Sequence, residues 1–422
     1  MAEAQRDKQE AIQDFADYVS PSKAKLYLDM GFDFVPGRRE GSRIWDLDGS
    51  RSFINCHASV FNLGHRPPRM VAALKEALER LDIGDYVLMS EARAALARRL
   101  AELTPGDITY SMFLPCGSEA VDVAIKLARG YTGRPGVVSA VGAYHGLTGL
   151  AMAAGDPHYR ERCGPVTPGF SQVPFGDVEA VASAVDGSTA AVIMETIPST
   201  AGILIPPPDY FPRLRDVCDR AGALLIIDEV QAGLGRTGRL WAIDEWGVVP
   251  DVLVLGKAMS GGVYPMSATC YRRKLQAFFD VDPFVHVSTF GGADVGCAVA
   301  MAMLDEITEP AFLSHVNEMA HRFEDGLARL RERHANVVVE VRQRGLMIGL
   351  EMVSSSCGPL LTQGLARRGV LALFANNRPS TLMIKPPLII TAEEVDEVLG
   401  ALDQALPGVA GALTAAKASE TG

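Results

Sequence analysis

The sequence predicts an α/β fold with a mostly parallel central sheet, helices on both faces, and a smaller α+β domain made from both chain ends. Between residues 66 and 300, short apolar runs alternate with segments of helical periodicity, which is typical of a parallel sheet covered by helices. Four runs are mainly apolar throughout, as expected of strands that are buried on both faces. They lie at residues 137–140, 191–194, 224–227 and 252–255.

The two ends of the chain predict the elements of the smaller domain. An N-terminal helix is followed at residues 43–54 by a strand, a turn at Asp48-Gly49 and a second strand, since Asp-Gly is a common hairpin turn. Toward the C-terminus the apolar spacing predicts two helices and then two strands of a small sheet. These four elements lie at residues 299–307, 313–334, 337–341 and 347–352.

These patterns divide the chain into four parts. We expect residues 1–65 to be the N-terminal segment of the small domain and residues 66–300 to be a large, ligand-binding domain. Residues 301–405 are expected to complete the small domain. Residues 406–422 are small and polar, so they are expected to form a flexible tail.

Composition and charge exclude several kinds of partner. With 422 residues the chain is long enough for two domains and a large core. Its net charge of −11 argues against nucleic acid, and the lack of an apolar run near 18 residues argues against a membrane span. The charged N-terminus lacks a signal core, and the seven cysteines form no Cys-x-x-Cys pair. We therefore expect a cytoplasmic protein with reduced thiols and no bound metal.

Two buried strands end in groups of opposite charge. The strand at 224–227 ends in Asp228, and the strand at 252–255 is followed, one glycine later, by Lys257. Ligands of open α/β sheets bind outside the carboxyl ends of the strands, so we expect both side chains to face one crevice. The pair suits pyridoxal phosphate, since a lysine forms an imine with it and an aspartate keeps its ring nitrogen protonated. Taken alone, Lys257 also fits a solvated loop residue.

A loop and a helix at residues 115–130 predict an anion site. Ser118 is the expected N-cap and Gly130 the expected stop. Gly117 lets the backbone approach a ligand, and the free amides of a helix start favour an anion. An ordinary capped helix fits the same pattern, and Glu119 opposes an anion unless it points away.

An aromatic residue follows another predicted strand. Tyr144 could stack on a pyridine ring, with His145 packed beside it and Gly146 after them. Core packing or a turn explains the same three residues without a ligand.

These segments together resemble the class III pyridoxal-phosphate-dependent aminotransferases, which include the ω-aminotransferases and have fold type I. The similarity runs from about residue 45 to residue 390, with the motifs in the same order. It implies pyridoxal 5'-phosphate in the large domain and a homodimer with shared active sites. The motifs are Gly117-Ser118-Glu119-Ala120, Tyr144-His145-Gly146, Glu195, residues 228–238, 247–251 and 288–292, Gly256-Lys257 and Pro386-Pro387-Leu388.

The resemblance also implies chemical roles. Lys257 is the Schiff-base lysine, and Asp228 pairs with the pyridine nitrogen, where a carboxylate keeps the ring protonated and electron-withdrawing. After a substrate amine displaces Lys257, the freed amine acts as a general base. A ping-pong reaction then moves the amino group to a carbonyl acceptor, which is a keto acid or an aldehyde.

Further residues are implied to surround the cofactor. They are Gly117, Ser118 and, contributed by the partner subunit, Thr289 at the phosphate; Tyr144 and Val230 on the two ring faces, with His145 alongside; Gln231 at the ring hydroxyl; and Glu195 as a nearby carboxylate.

Two departures from the family pattern bear on the substrate. Members that bind an α-carboxylate place an arginine where this chain has Met383, and a gating glutamate where it has Thr200. Met383 lacks the planar fork that grips a carboxylate, and Lys385 is expected to face elsewhere, although Arg378 is an alternative partner. We therefore expect a primary amine or ω-amino substrate, with His57 and Met383 on the substrate side.

Other interpretations fit part of the sequence. A lyase of the phospholyase kind, an aminomutase or a decarboxylase would use the same lysine and aspartate. A nicotinamide-dependent dehydrogenase is suggested by the G-x-G-x-x-G pattern at residues 233–238. That motif is weak without a helix after it, so we interpret these glycines as a turn-rich loop.

Overall fold

The computed structural model describes residues 7–420 of the chain, with side chains described through residue 415. The helices are α1 Lys8–Asp14, α2 Pro21–Asp29, α3 Pro68–Leu78, α4 Glu91–Leu103, α5 Gly117–Thr132, α6 Gly149–Ala154, α7 Val178–Ala184, α8 Tyr210–Ala221, α9 Ala277–Val281, α10 Asp294–Ile307, α11 Pro310–Arg333, α12 Cys357–Ala366 and α13 Ala392–Glu420. The strands are β1 Pro36–Glu40, β2 Arg43–Asp46, β3 Ser52–Asn55, β4 Ile108–Leu114, β5 Gly136–Ala140, β6 Phe170–Val173, β7 Thr189–Glu195, β8 Leu224–Asp228, β9 Val252–Leu255, β10 Ser267–Arg272, β11 Val338–Arg344, β12 Met347–Met352, β13 Val370–Leu371, β14 Leu373–Ala375 and β15 Arg378–Ile384.

A seven-stranded sheet forms the centre of the large domain, in the order β4-β10-β9-β8-β7-β5-β6. The strands from β9 to β6 pair in parallel, whereas β10 runs antiparallel to both β9 and β4. All residues of β7, β8 and β9 are buried, which explains why their sequences are apolar except at the ends of β7 and the last residue of β8. The predicted mostly parallel sheet is confirmed.

Helices cover both faces of this sheet. Leu225 and Ile227 on one face pack in the same core cluster as residues of α8 and α10. Leu224 and Ile226 on the other face share a second cluster with α5 and α6. This alternation follows from the two-residue period of a strand, and it places the edge of the sheet between two helical layers.

The small domain combines elements from both ends of the chain. An antiparallel sheet with the order β11-β12-β15-β14 packs against α11, α12 and α13. A second sheet has the order β1-β2-β3-β13, and its β3 pairs in parallel with β13. The predicted hairpin at Asp48-Gly49 is present, with Gly49 at a φ of +73°. The smaller α+β domain from both chain ends is confirmed.

The division at residues 65, 300 and 405 stays a prediction, but the surrounding elements differ from it in two places. Residue 300 lies inside α10, which packs on α3 and α4 of the large domain. Residue 405 lies inside α13, which continues through residues 406–420 where a flexible tail was expected. Burial of Leu406 and Val409 in the small-domain core explains why the helix continues past residue 405.

Helix α13 contains an apolar stretch longer than the sequence analysis expected. The stretch Ala392–Ala415 is long enough to cross a membrane, with a mean hydropathy of 1.2, because few charged residues follow Glu397. Within the fold, however, Val395, Val398 and Leu402 are buried against the helices of the small domain. The apolar face of α13 therefore serves the core.

Helix α5 begins and ends at residues other than those predicted. Its N-cap is Cys116 rather than Ser118, because the Ser118 hydroxyl bonds Thr148 of another loop. The helix passes through Gly130 and ends at Gly133, which has a left-handed φ of +68°. Gly130 is used for packing, since a Cβ there would lie 2.0 Å from the ring of Phe278.

Candidate active site

Asp228 and Lys257 lie at the carboxyl ends of neighbouring strands. Asp228 is the last residue of β8 and pairs with Val254 of β9, two residues before Gly256. Both Asp228 and Lys257 line a cavity of about 250 Å³. Lys257 has a φ of +47°, a left-handed conformation that costs a non-glycine residue about 1–3 kcal/mol. The fold therefore holds the lysine in place against a local backbone preference.

The carboxylate of Asp228 is oriented by two hydrogen bonds. Its Oδ1 accepts from the backbone N–H of Val230 at 3.0 Å, and its Oδ2 lies 2.8 Å from Nδ1 of His145. Burial opposes a charge on His145, but the hydrogen bond to Asp228 and its negative charge outweigh burial and raise the pKa of the imidazole. His145 was predicted to pack beside a ring, and its contact with Asp228 gives it an additional positioning role.

Two further ionisable groups share the cavity. Burial lowers the pKa of Lys257 below its usual value, against the opposing charges of Asp228 and Glu195. Burial also raises the pKa of Glu195 to about 7, while its Oε1 accepts from the N–H of Tyr144 at 3.0 Å. A lysine with a lowered pKa is more often neutral, and the neutral amine is the form that attacks a carbonyl.

The start of α5 provides the anion end of the cavity. Gly117 is its first residue, and a Cβ there would lie 2.9 Å from Val230. Gly146 has a φ of +118°, and a Cβ there would lie 2.3 Å from the Ser118 hydroxyl. Ser118 Oγ in turn accepts from the N–H of Thr148 at 2.9 Å. The loop is thus fastened to a helix N-terminus whose unpaired amides favour an anion.

Glu119, which was expected to oppose an anion unless it pointed away, has a partner outside the cavity. Its Oε1 lies 3.7 Å from Nε2 of His286. Glu119 is not among the residues that line the cavity. The acid in the first turn of α5 is therefore compatible with an anion at the helix start.

Flat and apolar groups border the middle of the cavity. Tyr144 and Val230 both line it, as does Gln231. The ring of Tyr144 is supported edge-on by Tyr159, with 5.3 Å between ring centroids and 74° between ring planes. The residues predicted for the two ring faces and for the ring hydroxyl therefore lie around one space.

Three predicted residues lie outside this lining. Thr289 is exposed in the segment after α9. Met383 is 5% exposed, and its Sδ accepts from the hydroxyl of Ser199 at 3.4 Å. His57 is partly buried and its backbone forms a parallel bridge with Lys385. Burial and the charges of Lys385 and Lys257 lower the pKa of His57 to about 3.

The expectation that Lys385 faces elsewhere is wrong. Lys385 is 2% exposed, and its Nζ donates to Oε1 of Gln231 at 2.9 Å and to Oγ of Ser199 at 3.0 Å. Strand periodicity would have found it, because residues i and i+2 share a face and Met383 had been assigned to the substrate side.

The glycine-rich segment 233–238 is a loop and not a nucleotide-binding turn. It consists of successive turns and is followed by a short 3-10 turn, Ala242–Trp246, rather than by an α-helix. Its Arg236 is buried and donates to the carbonyl oxygens of Ala58, Leu346 and Pro386. The loop therefore ties the two domains together, which removes the basis for the dehydrogenase interpretation.

The groups around the cavity fit pyridoxal phosphate. A lysine amine faces the same space as an oriented carboxylate, a tyrosine ring and the start of a sixteen-residue helix. The buried Nε2 of His145 has no hydrogen-bond partner within the described part of the protein. An aldehyde that carries a pyridine ring and a phosphate matches this set of a nucleophile, an acid and an anion site.

Comparisons with known proteins point to the same chemistry. Residues 29–406 match the family model for aminotransferase class-III. The chain is 51% identical to an uncharacterized aminotransferase of Archaeoglobus fulgidus, over 93% of each protein. It is 34% identical to a putrescine aminotransferase of Pectobacterium atrosepticum, over 93% of this chain and 87% of that protein.

A solved structure shares the fold. The chain is similar to an amine transaminase from an uncultivated Pseudomonas species, in its pyridoxal-phosphate-bound form, with a TM-score of 0.83 and 28% identity. The match covers 89% of this chain and 95% of that one. The shared fold extends over both domains.

Proposed function

We propose that this chain, which belongs to the class III family of pyridoxal-phosphate-dependent aminotransferases, takes its amino group from a primary amine or ω-amino compound. Such a donor has no carboxylate beside the reacting carbon. The acceptor is a keto acid or an aldehyde. The names of the relatives favour transamination over the lyase, aminomutase and decarboxylase alternatives.

The surroundings of Met383 carry this proposal. A thioether occupies the position of the arginine that would grip an α-carboxylate, and Ser199 already contacts its sulfur. Arg378, the alternative partner, is engaged with Glu351 through an Nε contact of 2.9 Å. Met383 has no guanidinium, and that of Arg378 is already paired with a carboxylate. A putrescine aminotransferase and an amine transaminase among the similar proteins further support an amine donor.

Each residue of the site has a separate role in the reaction. When bound, pyridoxal phosphate supplies an electron sink that stabilises a carbanion. Asp228, held by His145 and Val230, keeps a proton on the ring nitrogen. Lys257 binds the cofactor, and its freed amine accepts the proton from the substrate carbon that carries nitrogen. The start of α5 anchors the phosphate, so the ring stays fixed while Lys257 moves.

A matched pair of donors tests the proposal. Butylamine and 2-aminopentanoate (norvaline) differ only by a carboxylate on the reacting carbon, so we expect the amine to be used at least as well with pyruvate or 2-oxoglutarate. Met383→Arg should shift the preference toward α-amino acids by restoring the family's guanidinium, and Lys257→Ala is the inactive control. A strong preference of the wild-type enzyme for α-amino acids in both half-reactions would contradict the proposal.

We further propose that the enzyme is a homodimer with shared active sites. Thr289 is exposed, and large apolar side chains near it and in residues 78–89 are also exposed. They are Leu78, Ile83, Val87, Leu88 and Met89 in one segment and Val281, Phe284, Val285, Val287 and Phe290 in the other. Large exposed apolar side chains that cluster along a chain are typical of protein interfaces, which supports the dimer.

Light scattering after size exclusion tests the dimer, and a hybrid tests the shared site. Mixing Lys257→Ala chains with Thr289→Ala chains should restore activity, because one site of each hybrid then has both native residues. A monomer of about 45 kDa would refute the proposal.

A cytoplasmic location is also proposed. All seven cysteines are free thiols, in keeping with a reducing compartment. Fractionation of cells that express the protein is the measurement, and recovery outside the cytoplasm would contradict it.

A further inference from the structure

Lys385 is a buried cation whose hydrogen bonds all go to neutral groups. Besides Gln231 and Ser199, its Nζ contacts Sδ of Met383 at 3.6 Å. Burying an ammonium without a carboxylate partner is costly, so such a lysine is retained for a function more often than for stability. Its neighbours indicate what that function is.

The direction of the hydrogen bond to Gln231 is fixed by chemistry. A protonated lysine has three donors and no acceptor, so the atom of Gln231 that faces it must be the amide oxygen. The amide nitrogen of Gln231 is then directed away from Lys385. Gln231 lines the same cavity as Asp228 and Lys257, and family resemblance places it at the ring hydroxyl.

We propose that Lys385 is a positioning residue that locks Gln231 with its amide nitrogen as a donor to the ring oxygen of the cofactor, and that its charge favours the deprotonated form of that oxygen. This inference rests on the cofactor site described above, not on the proposed choice of amine. It assigns Lys385 a role in tuning the cofactor rather than in binding the substrate.

The charges around Lys385 determine its protonation. Burial, together with the nearby cations Lys257 and Arg236, lowers the pKa of Lys385 to about 7, and Glu195 opposes this. His57, on the adjacent segment, is neutral at physiological pH because its own pKa is about 3. An anionic ring oxygen beyond Gln231 raises the pKa of Lys385 again, so binding of the cofactor keeps the ammonium charged.

The consequence is a shift in the pH titration of the bound cofactor. A positive charge near the nitrogen that joins Lys257 to the cofactor disfavours its protonation. Removing that charge should therefore raise the pH at which the visible absorption of the holoenzyme titrates. The shift expected for Lys385→Met is on the order of one pH unit.

Absorption spectra of holoenzyme variants between pH 5 and 10 provide the test. Lys385→Met should shift the midpoint upward, and Lys385→Arg, which keeps the charge, should restore most of it. Arg378→Met is the matched control, because it removes a half-exposed cation of the same domain that is already paired with Glu351. Its midpoint should equal that of the wild type.

A second background separates positioning from a general charge effect. In Gln231→Ala protein, adding Lys385→Met should cause a smaller shift than it does alone, because only the direct charge effect remains and the contribution through Gln231 is already lost. A full-sized shift in that background would overturn the locking of Gln231.

Two other results would also overturn the proposal. One is an unchanged midpoint in Lys385→Met protein that melts like the wild type. The other is a raised KM for the keto acid with an unchanged midpoint, which would place Lys385 at the substrate instead. The titration needs no amino donor, so the proposed donor class can fail while this inference stands.

Discussion

Replacing Gly146 with alanine should loosen the anion end of the active site. The backbone φ of +118° lies beyond the left-handed range of about +50° to +70° that other residues adopt. The added Cβ would also lie 2.3 Å from Oγ and 2.8 Å from Cα of Ser118, so more than a flexible side chain must move. Since Ser118 is tied to Thr148, the strain should pass into the start of α5.

The two costs can be separated with a matched control in the same loop. Gly142 also has a positive φ, at +75°, but a Cβ there would meet only Ala201, at 3.5 Å. Gly142→Ala should therefore lose roughly 1–2 kcal/mol for its backbone alone. Gly146→Ala should lose this and roughly 1–3 kcal/mol more for overpacking, a total of roughly 2–5 kcal/mol.

Thermal unfolding of the apoenzyme measures the stability loss, and quenching of protein fluorescence by pyridoxal phosphate measures cofactor affinity. We expect Gly146→Ala to weaken cofactor binding at least tenfold, while Gly142→Ala leaves it nearly unchanged. Equal stability losses and equal affinities in the two variants would refute the reasoning from the Ser118 contact.

Three further changes have expected outcomes. Asp228→Asn keeps the acceptor for Val230 but removes the charge, so single-turnover rates with amine should fall by at least about 100-fold, with a smaller loss of cofactor affinity; equal losses in both would contradict this. Lys257→Ala should abolish borohydride labelling of the protein and turnover together, and labelling at another lysine would refute its role. The pKa of Glu195 is raised to about 7 in the folded state, so the folded apoenzyme loses stability as the pH rises from 4.5 to 7. Glu195→Gln should remove this loss, which amounts to roughly 3 kcal/mol at most. Parallel curves of stability against pH for the wild type and the variant would contradict this.

The strands that position the site could be predicted because their environment leaves a simple pattern. Both faces of β8 and β9 pack against helices, so every residue is apolar until the strand ends at the ligand. Asp228 and Lys257 stand out for that reason. In open α/β sheets the polar residues after a buried run mark the binding edge.

Features that depend on contacts between distant parts of the chain could not be predicted from the sequence. Ser118 has the side chain of an N-cap, but the loop at Thr148 engages its hydroxyl, and Cys116 takes the cap position. Gly130 has the backbone freedom of a stop, but the Phe278 ring requires a small residue there. Local propensity describes what a residue can do, and tertiary packing decides which of these uses it has.

The charged groups of the site explain why the position of Lys385 could not be predicted from the sequence. Lys257 and Lys385 are cations in one buried region, and Asp228 and Glu195 are the acids near them. Burial lowers the pKa of both lysines and raises that of Glu195, so holding these charges together inside the protein is costly. A ligand with a protonated ring nitrogen, an anionic ring oxygen and a phosphate supplies the missing partners at three places. Such a site should stabilise the protein most when the ligand is bound, because the ligand binds the folded state alone. Lysines are rarely buried in proteins, and the two buried lysines here are therefore the ones whose charges the bound cofactor would balance.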